Sequence, residues 1–168
     1  APQLVPGTPA FAATGDVDPT FGTNGTAFTN LHTGIQTDLM IRGSATTGDG
    51  HLLVVGDTRT DLRDSTRAIV VLRFDGNGQL DPTFGTAGTT VIGNAGRRDE
   101  AVDVAVTPDG HILVAGHSIR PESFNPDELV VVRLTPTGAP DPTFATDGVA
   151  RVDLDPAGDL GHRSFAVV

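Results

Sequence analysis

The chain has 168 residues, a formal net charge of −10, and 11 basic residues that are all arginine. This acidic balance argues against binding to a nucleic-acid backbone, which requires clustered positive charge. Cysteine is absent, which excludes a disulfide framework and a thiolate metal site. No apolar run reaches about 18 residues, so the sequence predicts no membrane span.

A short motif occurs three times along the chain. It reads Asp-Pro-Thr-Phe-Gly at 18–22 and at 81–85, and Asp-Pro-Thr-Phe-Ala at 141–145. Its aspartate can accept a hydrogen bond from a backbone N–H two residues on, its proline presets φ, and its glycine tolerates a positive φ. Each copy is therefore predicted to form a turn followed by an anchored phenylalanine.

Two other landmarks lie between the copies of this motif and establish the repeat. The stretch 48–56 matches 108–116, and the apolar stretch 69–74 matches 129–134, both at a displacement of 60 residues. Three landmarks that recur in one order are not a coincidence of composition. The chain is therefore predicted to be a repeat protein.

Four short segments of one repeat have the composition of β-strands. In chain order they are the β-branched run 89–92, the alternating run 101–106, the continuous apolar run 112–115 and the closing run 129–134. An Asp-Gly pair separates the second run from the third, which is a strong signal for a hairpin. No long stretch has the periodicity of an amphipathic helix.

Four strands in a unit of about 60 residues are typical of a β-propeller blade. We therefore predict an all-β fold built from β-propeller-type four-stranded repeats. The alternative is a β-sandwich of ten or so strands, because turn signals at short spacing suit both folds. Strict recurrence favours the propeller type, since the strands of a sandwich have no reason to repeat one another.

The motif divides the chain into four segments. Residues 1–17 are assigned to the tail of a preceding unit, 18–80 to repeat unit 1, 81–140 to repeat unit 2, and 141–168 to a partial repeat unit 3. Closing a propeller ring takes roughly four or more blades, which exceeds these two and a half units. We expect the repeats to stay open or to be completed by another chain, because exposed edge strands promote association.

The pattern Pro-Asp-Gly-x-Ile-Leu-Val-Ala-Gly at 108–116, followed by an apolar strand with Arg133 and by the motif at 141–144, resembles the delta-60 repeat. That family consists of tandem repeats in bacterial surface and secreted proteins. The resemblance covers nearly the whole chain and implies a propeller-like fold and an extracellular or cell-surface location. It brings no established catalytic residues.

His51 and His111 occupy one repeat position, directly after the Asp-Gly turn. In radially arranged blades they would lie at equivalent places, where they could form part of a metal or substrate ring. The plainer interpretation is that this position takes a polar residue at the start of a strand, as the lysine of the delta-60 family there suggests. We assign no catalytic, cofactor-binding or metal-binding residue, and no cofactor.

The stretch Asp75–Asp81 spaces oxygen ligands as the start of a calcium loop does. The glycine and the bidentate glutamate that such a loop requires are replaced by Leu80 and Thr86. A turn explains this stretch more simply, and weak calcium binding here stays open.

Tryptophan and tyrosine, the rings that usually stack on carbohydrate or on single-stranded nucleic acid, are absent. The phenylalanine of the motif is predicted to fill the core between units. We predict a non-enzymatic structural or protein-interaction module of a secreted or surface bacterial protein, assembling through its incomplete terminal units with copies of itself or with further repeats of a longer chain. The alternative is a ligand-binding or enzymatic β-propeller with an axial site.

Overall fold

The computed structural model describes residues 16–29, 39–59, 66–93, 96–120 and 128–153. Most of the predicted preceding unit and the greater part of the predicted third unit lie outside these ranges. The described part of the chain forms eight β-strands. It contains no helix that could cross a membrane.

The strands form two four-stranded antiparallel sheets. Sheet 1 has, in spatial order, β1 Met40–Thr46, β2 Leu52–Arg59, β3 Arg67–Phe74 and β4 Thr89–Ile92. Sheet 2 has β5 Arg98–Val106, β6 Ile112–Ile119, β7 Glu128–Leu134 and β8 Val149–Asp153. A single parallel residue pair, Arg67 with Arg98, joins the two sheets. Each sheet has the meander of a propeller blade, so the predicted all-β, four-stranded repeat architecture is confirmed.

The sheets are offset from the repeat units counted in sequence. Strand β4 follows the motif at 81–85, yet it pairs with β3, which precedes that motif. Strand β8 stands in the same relation to the motif at 141–145 and to β7. Each sheet therefore takes its last strand from across the sequence boundary that the motif marks.

A glycine in β6 lets the inner strand β5 approach closely. Strand β5 shifts its register between Ala101 and Asp103, which is a β-bulge. A Cβ atom at Gly116 would lie 2.3 Å from the carbonyl oxygen of Glu100. Gly56 in β2 is placed in the same way against β1. The recurring glycine of the two landmarks is thus explained by close backbone contact.

The two sheets pack face to face through alternate residues of their central strands. The face of sheet 1 that points toward sheet 2 is called its outgoing face, and it consists of Leu53, Val55, Ile69 and Val71. It meets the incoming face of sheet 2, which consists of Ile112, Val114, Val130, Val132 and Leu134. Each of these side chains is at most 1 % exposed, and burying each one stabilises the fold by about 1.5–3 kcal/mol.

Each sheet has a second apolar face on its other side. The incoming face of sheet 1 consists of Leu52, Val54, Val70, Leu72 and Phe74, and Leu39 and Leu80 pack against it. The outgoing face of sheet 2 consists of Leu113, Ala115, Leu129 and Val131, and all four are only partly buried. The outgoing face is therefore fully buried on sheet 1 but partly exposed on sheet 2.

Gly116→Ala is expected to lower the free energy of unfolding by about 1–3 kcal/mol, because the new methyl group would force β5 away from β6. Gly48→Ala serves as the control, since nothing lies within 4 Å of the added Cβ atom. The control is expected to be neutral or to stabilise the fold by up to about 1 kcal/mol. Urea denaturation measures both variants, and equal midpoints would contradict the close approach.

Candidate functional site

The joint between the two sheets brings together two kinds of segment. The anchor motif is the recurring stretch at 18–22, 81–85 and 141–145. The glycine loop is the turn that follows the third strand of a sheet, at 75–79 in sheet 1 and 135–139 in sheet 2. At the joint, the anchor motif 81–85 contacts the glycine loop 135–139.

The anchor motif is a local turn held by its aspartate. The Oδ1 atom of Asp81 accepts hydrogen bonds from the backbone N–H of Thr83 at 2.9 Å and from its hydroxyl at 2.7 Å. The backbone N–H of Phe84 donates to the carbonyl of Asp81 at 3.1 Å. The two other copies have the same aspartate–threonine bonds, so this conformation is encoded locally.

Arg73 of β3 connects the anchor motif to the next sheet. Its Nε donates to Oδ2 of Asp81 at 2.7 Å, and its Nη2 donates to the hydroxyl of Thr83 at 3.1 Å. Its guanidinium carbon lies 4.7 Å from the centre of the Phe84 ring. Its Nη1 donates to the carbonyl of Pro136 in the glycine loop at 2.6 Å. Arg73 thus binds both the anchor motif 81–85 and the glycine loop 135–139 of sheet 2.

Phe84 is fully buried and its ring lies against the backbone of the glycine loop. A Cβ atom at Gly138 would lie 2.7 Å from the ring, so this position must lack a side chain. The backbone N–H of Gly85 donates to the carbonyl of Thr137 at 2.8 Å, and the hydroxyl of Thr90 donates to the carbonyl of Gly138 at 2.7 Å. The motif phenylalanine is predicted to fill the core between units, and Phe84 indeed lies in the core, between the two sheets.

The first anchor motif docks in the same manner on the other glycine loop. The backbone N–H of Gly22 donates to the carbonyl of Asn77 at 2.7 Å. A Cβ atom at Gly78 would lie 3.1 Å from the Cζ atom of Phe21. Two of the three anchor motifs therefore contact a glycine loop: motif 18–22 contacts loop 75–79, and motif 81–85 contacts loop 135–139.

The third anchor motif has the turn and the arginine but no glycine loop within the described ranges. The Nε of Arg133 donates to Asp141 at 2.6 Å, and its guanidinium carbon lies 4.9 Å from the centre of the Phe144 ring. Phe144 is only partly buried, whereas its counterpart Phe84 is fully buried. This motif borders the partly exposed outgoing face of sheet 2.

The two repeated histidines have equivalent surroundings. The Nδ1 atom of His111 lies 3.1 Å from a carboxylate oxygen of Asp109, and its Nε2 atom lies 3.4 Å from Oδ2 of Asp141. His51 has the two corresponding carboxylate neighbours, Asp49 at 3.0 Å and Asp81 at 3.5 Å. Each imidazole therefore links the Asp-Gly hairpin turn to the aspartate of the anchor motif.

The carboxylates around the histidines have low pKa values. The Thr47 hydroxyl and then His51 lower the pKa of Asp49 to about 2. The hydroxyl and the N–H of Thr83 are the main causes that lower the pKa of Asp81 to about 2. A carboxyl group with so low a pKa is ionised near neutral pH and does not act there as a general acid.

The stretch that suggested a calcium loop forms the glycine loop of sheet 1. The Oδ1 atom of Asp75 accepts hydrogen bonds from the N–H groups of Asn77 and Gln79, each at 2.9 Å. This turn accounts for the spacing of the oxygen atoms. Across the described ranges, no group of three or more histidine or acidic side chains is arranged to hold a metal ion.

A groove lies between the two hairpin turns, at the end of the joint where Arg73 contacts Pro136. Its volume is about 500 Å³, and its walls are the turns at 46–49 and 106–110. Arg73, Ile112 and Pro136 complete the lining. The repeated histidines are not lining residues of this groove.

At the opposite end of the joint lies a group of charged side chains that sequence reasoning missed. Asp57 is fully buried at the end of β2. Its carboxylate accepts from Nη1 of Arg67 at 2.7 Å and from Nε of Arg42 at 3.0 Å. The repeat counterparts of Asp57 and Arg42 are His117 and Val102, so no recurrence marked these positions.

Glu100 continues this network from the side of sheet 2. It is 6 % exposed, and it lies 3.3 Å from Nε2 of His117 and 3.5 Å from Nη2 of Arg42. The Nε of Arg98 donates a further bond to it. His117 first and Arg98 second lower the pKa of Glu100 to about 2. The network joins the two sheets through ion pairs whose residues Arg42, Asp57 and Glu100 have no counterparts of the same type one repeat away.

Phe84→Ala is expected to lower the free energy of unfolding by about 3–5 kcal/mol, because it leaves a cavity against Gly138. Phe144→Ala is the matched control at the same repeat position, and it should cost clearly less because Phe144 is partly exposed. Thermal and urea unfolding compare the two. An unchanged melting temperature for the Phe84 variant, or equal losses in both variants, would refute the packing role.

Stability is expected to fall as the pH drops from about 4 to about 2 and to vary little above that range. The folded chain holds the pKa of Asp49, Asp81, Glu100 and Asp109 at about 2, below the ordinary values of 3.8 and 4.5. The unfolded chain therefore binds more protons within this window. Unfolding midpoints measured against pH check this, and Asp81→Asn should make the slope shallower than the exposed control Asp147→Asn does.

Two segments of the chain, residues 47–84 and 107–144, match a family model described as "Domain of unknown function (DUF5122) beta-propeller". Each segment runs from the hairpin turn of one sheet to the phenylalanine of the following anchor motif. No curated protein and no solved structure has a significant match to the chain. The chain thus carries two tandem copies of a β-propeller repeat.

Proposed function

We propose that this chain is a non-enzymatic structural or protein-interaction module of delta-60 type from a secreted or surface bacterial protein, and that it works by joining propeller-type units face to face. One observation carries the proposal. The outgoing face that sheet 1 buries within the joint is present again on sheet 2, where it is partly exposed.

The two outgoing faces have similar chemistry. The four residues of sheet 1 are Leu53, Val55, Ile69 and Val71, and each is 0 % exposed. Their counterparts on sheet 2 are Leu113, Ala115, Leu129 and Val131. A contiguous apolar face that remains exposed is typical of an interaction surface, because covering it removes apolar area from water. The incoming face of another unit of the same repeat is the partner that fits it.

The chemistry of the charged residues also favours a structural role. The buried carboxylates of Asp57 and Glu100 are held by arginines within the joint. The repeated histidines each bridge two carboxylates, one in the hairpin turn and one in the anchor motif that follows. These contacts stabilise turns and the joint, and the low pKa of Asp49 and Asp81 keeps both carboxyl groups ionised near neutral pH, where they do not act as general acids.

The proposed location is supported by composition and by the family resemblance. The chain is rich in threonine, glycine and aspartate and has no lysine. The delta-60 repeats that it resembles occur in bacterial surface and secreted proteins.

The second candidate is a ligand-binding or enzymatic propeller with an axial site. The groove of about 500 Å³ between the hairpin turns is the observation that favours it. Metal content of the purified protein, compared between the wild type and His111→Ala, tests the part of this candidate in which the repeated histidines bind a metal ion. A metal ion that is present in the wild type and lost in the variant would favour the second candidate.

Sedimentation velocity over a wide range of concentration tests the structural proposal. The average mass of the wild-type chain is expected to rise above 17.3 kDa with concentration. Val131→Glu places a charge on the outgoing face of sheet 2 and should abolish the rise, because an unpaired charge is costly to bury. Gly48→Glu adds the same charge to an open hairpin turn and should leave association unchanged. A wild-type mass that stays at 17.3 kDa would count against assembly of the native chain.

A further inference from the structure

We propose that the first anchor motif, residues 18–22, occupies a docking site that a second copy of this chain can use. Copies then assemble by an exchange, in which motif 141–145 of one copy takes the place of motif 18–22 in the other. The inference rests on the proposed function. It names the partner of the outgoing face of sheet 2, and it states that motif 18–22 must leave before this partner can bind. The partner is the glycine loop 75–79 and the incoming face of sheet 1 in another copy.

The first step is that one contact occurs twice in the chain. The N–H of Gly22 donates to the carbonyl of Asn77 at 2.7 Å, and the N–H of Gly85 donates to the carbonyl of Thr137 at 2.8 Å. In both places the motif phenylalanine lies against the glycine of the loop. Anchor motifs and glycine loops are therefore interchangeable parts of one type of joint.

The second step is that the third anchor motif, residues 141–145, is prepared for the same contact. Its turn is formed, and Ala145 has a φ of 48°, close to the 51° of Gly85. In the ranges described, no glycine loop covers it, and Phe144 is partly exposed. The motif therefore presents the ring and the backbone conformation that the joint between the sheets uses.

The third step concerns the arginine beside this motif. Arg133 makes the same Nε and Nη2 bonds as Arg73. The Nη1 atom of Arg73 donates to the carbonyl of Pro136, but within the described part of the chain Nη1 of Arg133 has no such acceptor. The Arg133 side chain is 30 % exposed and that of Arg73 is 11 % exposed. The repeat counterpart of Pro136 is Gly76, whose carbonyl in a second copy would supply the missing acceptor.

The fourth step is that the loop 75–79 is already occupied within its own chain. Motif 18–22 covers it, and Val70, Leu72 and Phe74 of the incoming face are at most 8 % exposed. Motif 141–145 of a second copy can reach this loop only after motif 18–22 leaves it. The two motifs therefore compete for one site.

The competition favours the intramolecular motif but does not lock it in place. A tethered segment acts at an effective concentration that is on the order of millimolar for a short flexible tether, so a second copy must overcome this advantage. Asp18 is exposed and its carboxylate accepts bonds from Thr20, while Phe21 is only partly buried. The central motif has in addition the four interactions of Arg73. Motif 18–22 is accordingly held more weakly on its glycine loop than the central motif 81–85 is on loop 135–139.

Phe21→Ala should weaken the intramolecular contact and lower the concentration at which copies associate by about ten-fold or more. Gly22→Pro is a second variant that keeps the Phe21 ring. It removes the N–H that donates to the carbonyl of Asn77, and proline cannot adopt the φ of 57° at this position, so the variant should act in the same direction. The double variant Phe21→Ala/Phe144→Ala should return to a monomer. Sedimentation velocity gives the masses, and circular dichroism confirms that each variant keeps its strands.

The outcomes separate this inference from the proposed function. Association of the wild type that Phe21→Ala leaves unchanged and Val131→Glu blocks would overturn the exchange and leave the proposed function standing. Association of Phe21→Ala that persists after Phe144→Ala would overturn the docking site. Folded proteins that all remain monomeric would overturn both. A monomeric wild type beside an associating Phe21→Ala variant would support the exchange and limit assembly to chains whose first motif is released.

Discussion

The structure depends on one contact, the Phe84 ring packed against the backbone of Gly138. The ring fills the space in which a side chain at Gly138 would stand, so the loop can approach only because it has none there. Arg73 lies over the ring and binds the same loop, which fixes the direction of approach. The sheets then bury their apolar faces against each other because the contact sets their separation.

The joint has two ends that differ in kind. The end with the anchor motif uses a turn and a phenylalanine that recur in all three anchor motifs, and a glycine that recurs in both glycine loops, so the same kind of contact forms more than once in the chain. The opposite end uses Asp57, Arg42 and Glu100, which do not recur. Buried ion pairs repay little of their desolvation cost, but a missing partner is expensive. The recurring end therefore supplies general cohesion, and the ionic end favours sheet 2 as the neighbour of sheet 1.

Much of the fold could be predicted from the sequence because the repeat made its signals redundant. The run 89–92 coincides with β4, and the Asp-Gly turn at 109–110 joins β5 to β6 as a hairpin. Burial of Phe84 followed from its recurrence. The network around Glu100 could not be predicted, because its partners are far apart in sequence and break the repeat. The docking of an anchor motif on a loop more than fifty residues further on also left no local signal.

Strand β4 has a mechanical consequence. In sequence it belongs to repeat unit 2, but it pairs with β3 of sheet 1, from Ile69 with Ile92 to Leu72 with Thr89. Tension along the polypeptide therefore cannot part the two units at their apolar contact alone. It must also strip β4 from sheet 1. The pairing of a strand with the sheet that precedes its anchor motif therefore holds the two sequence units together.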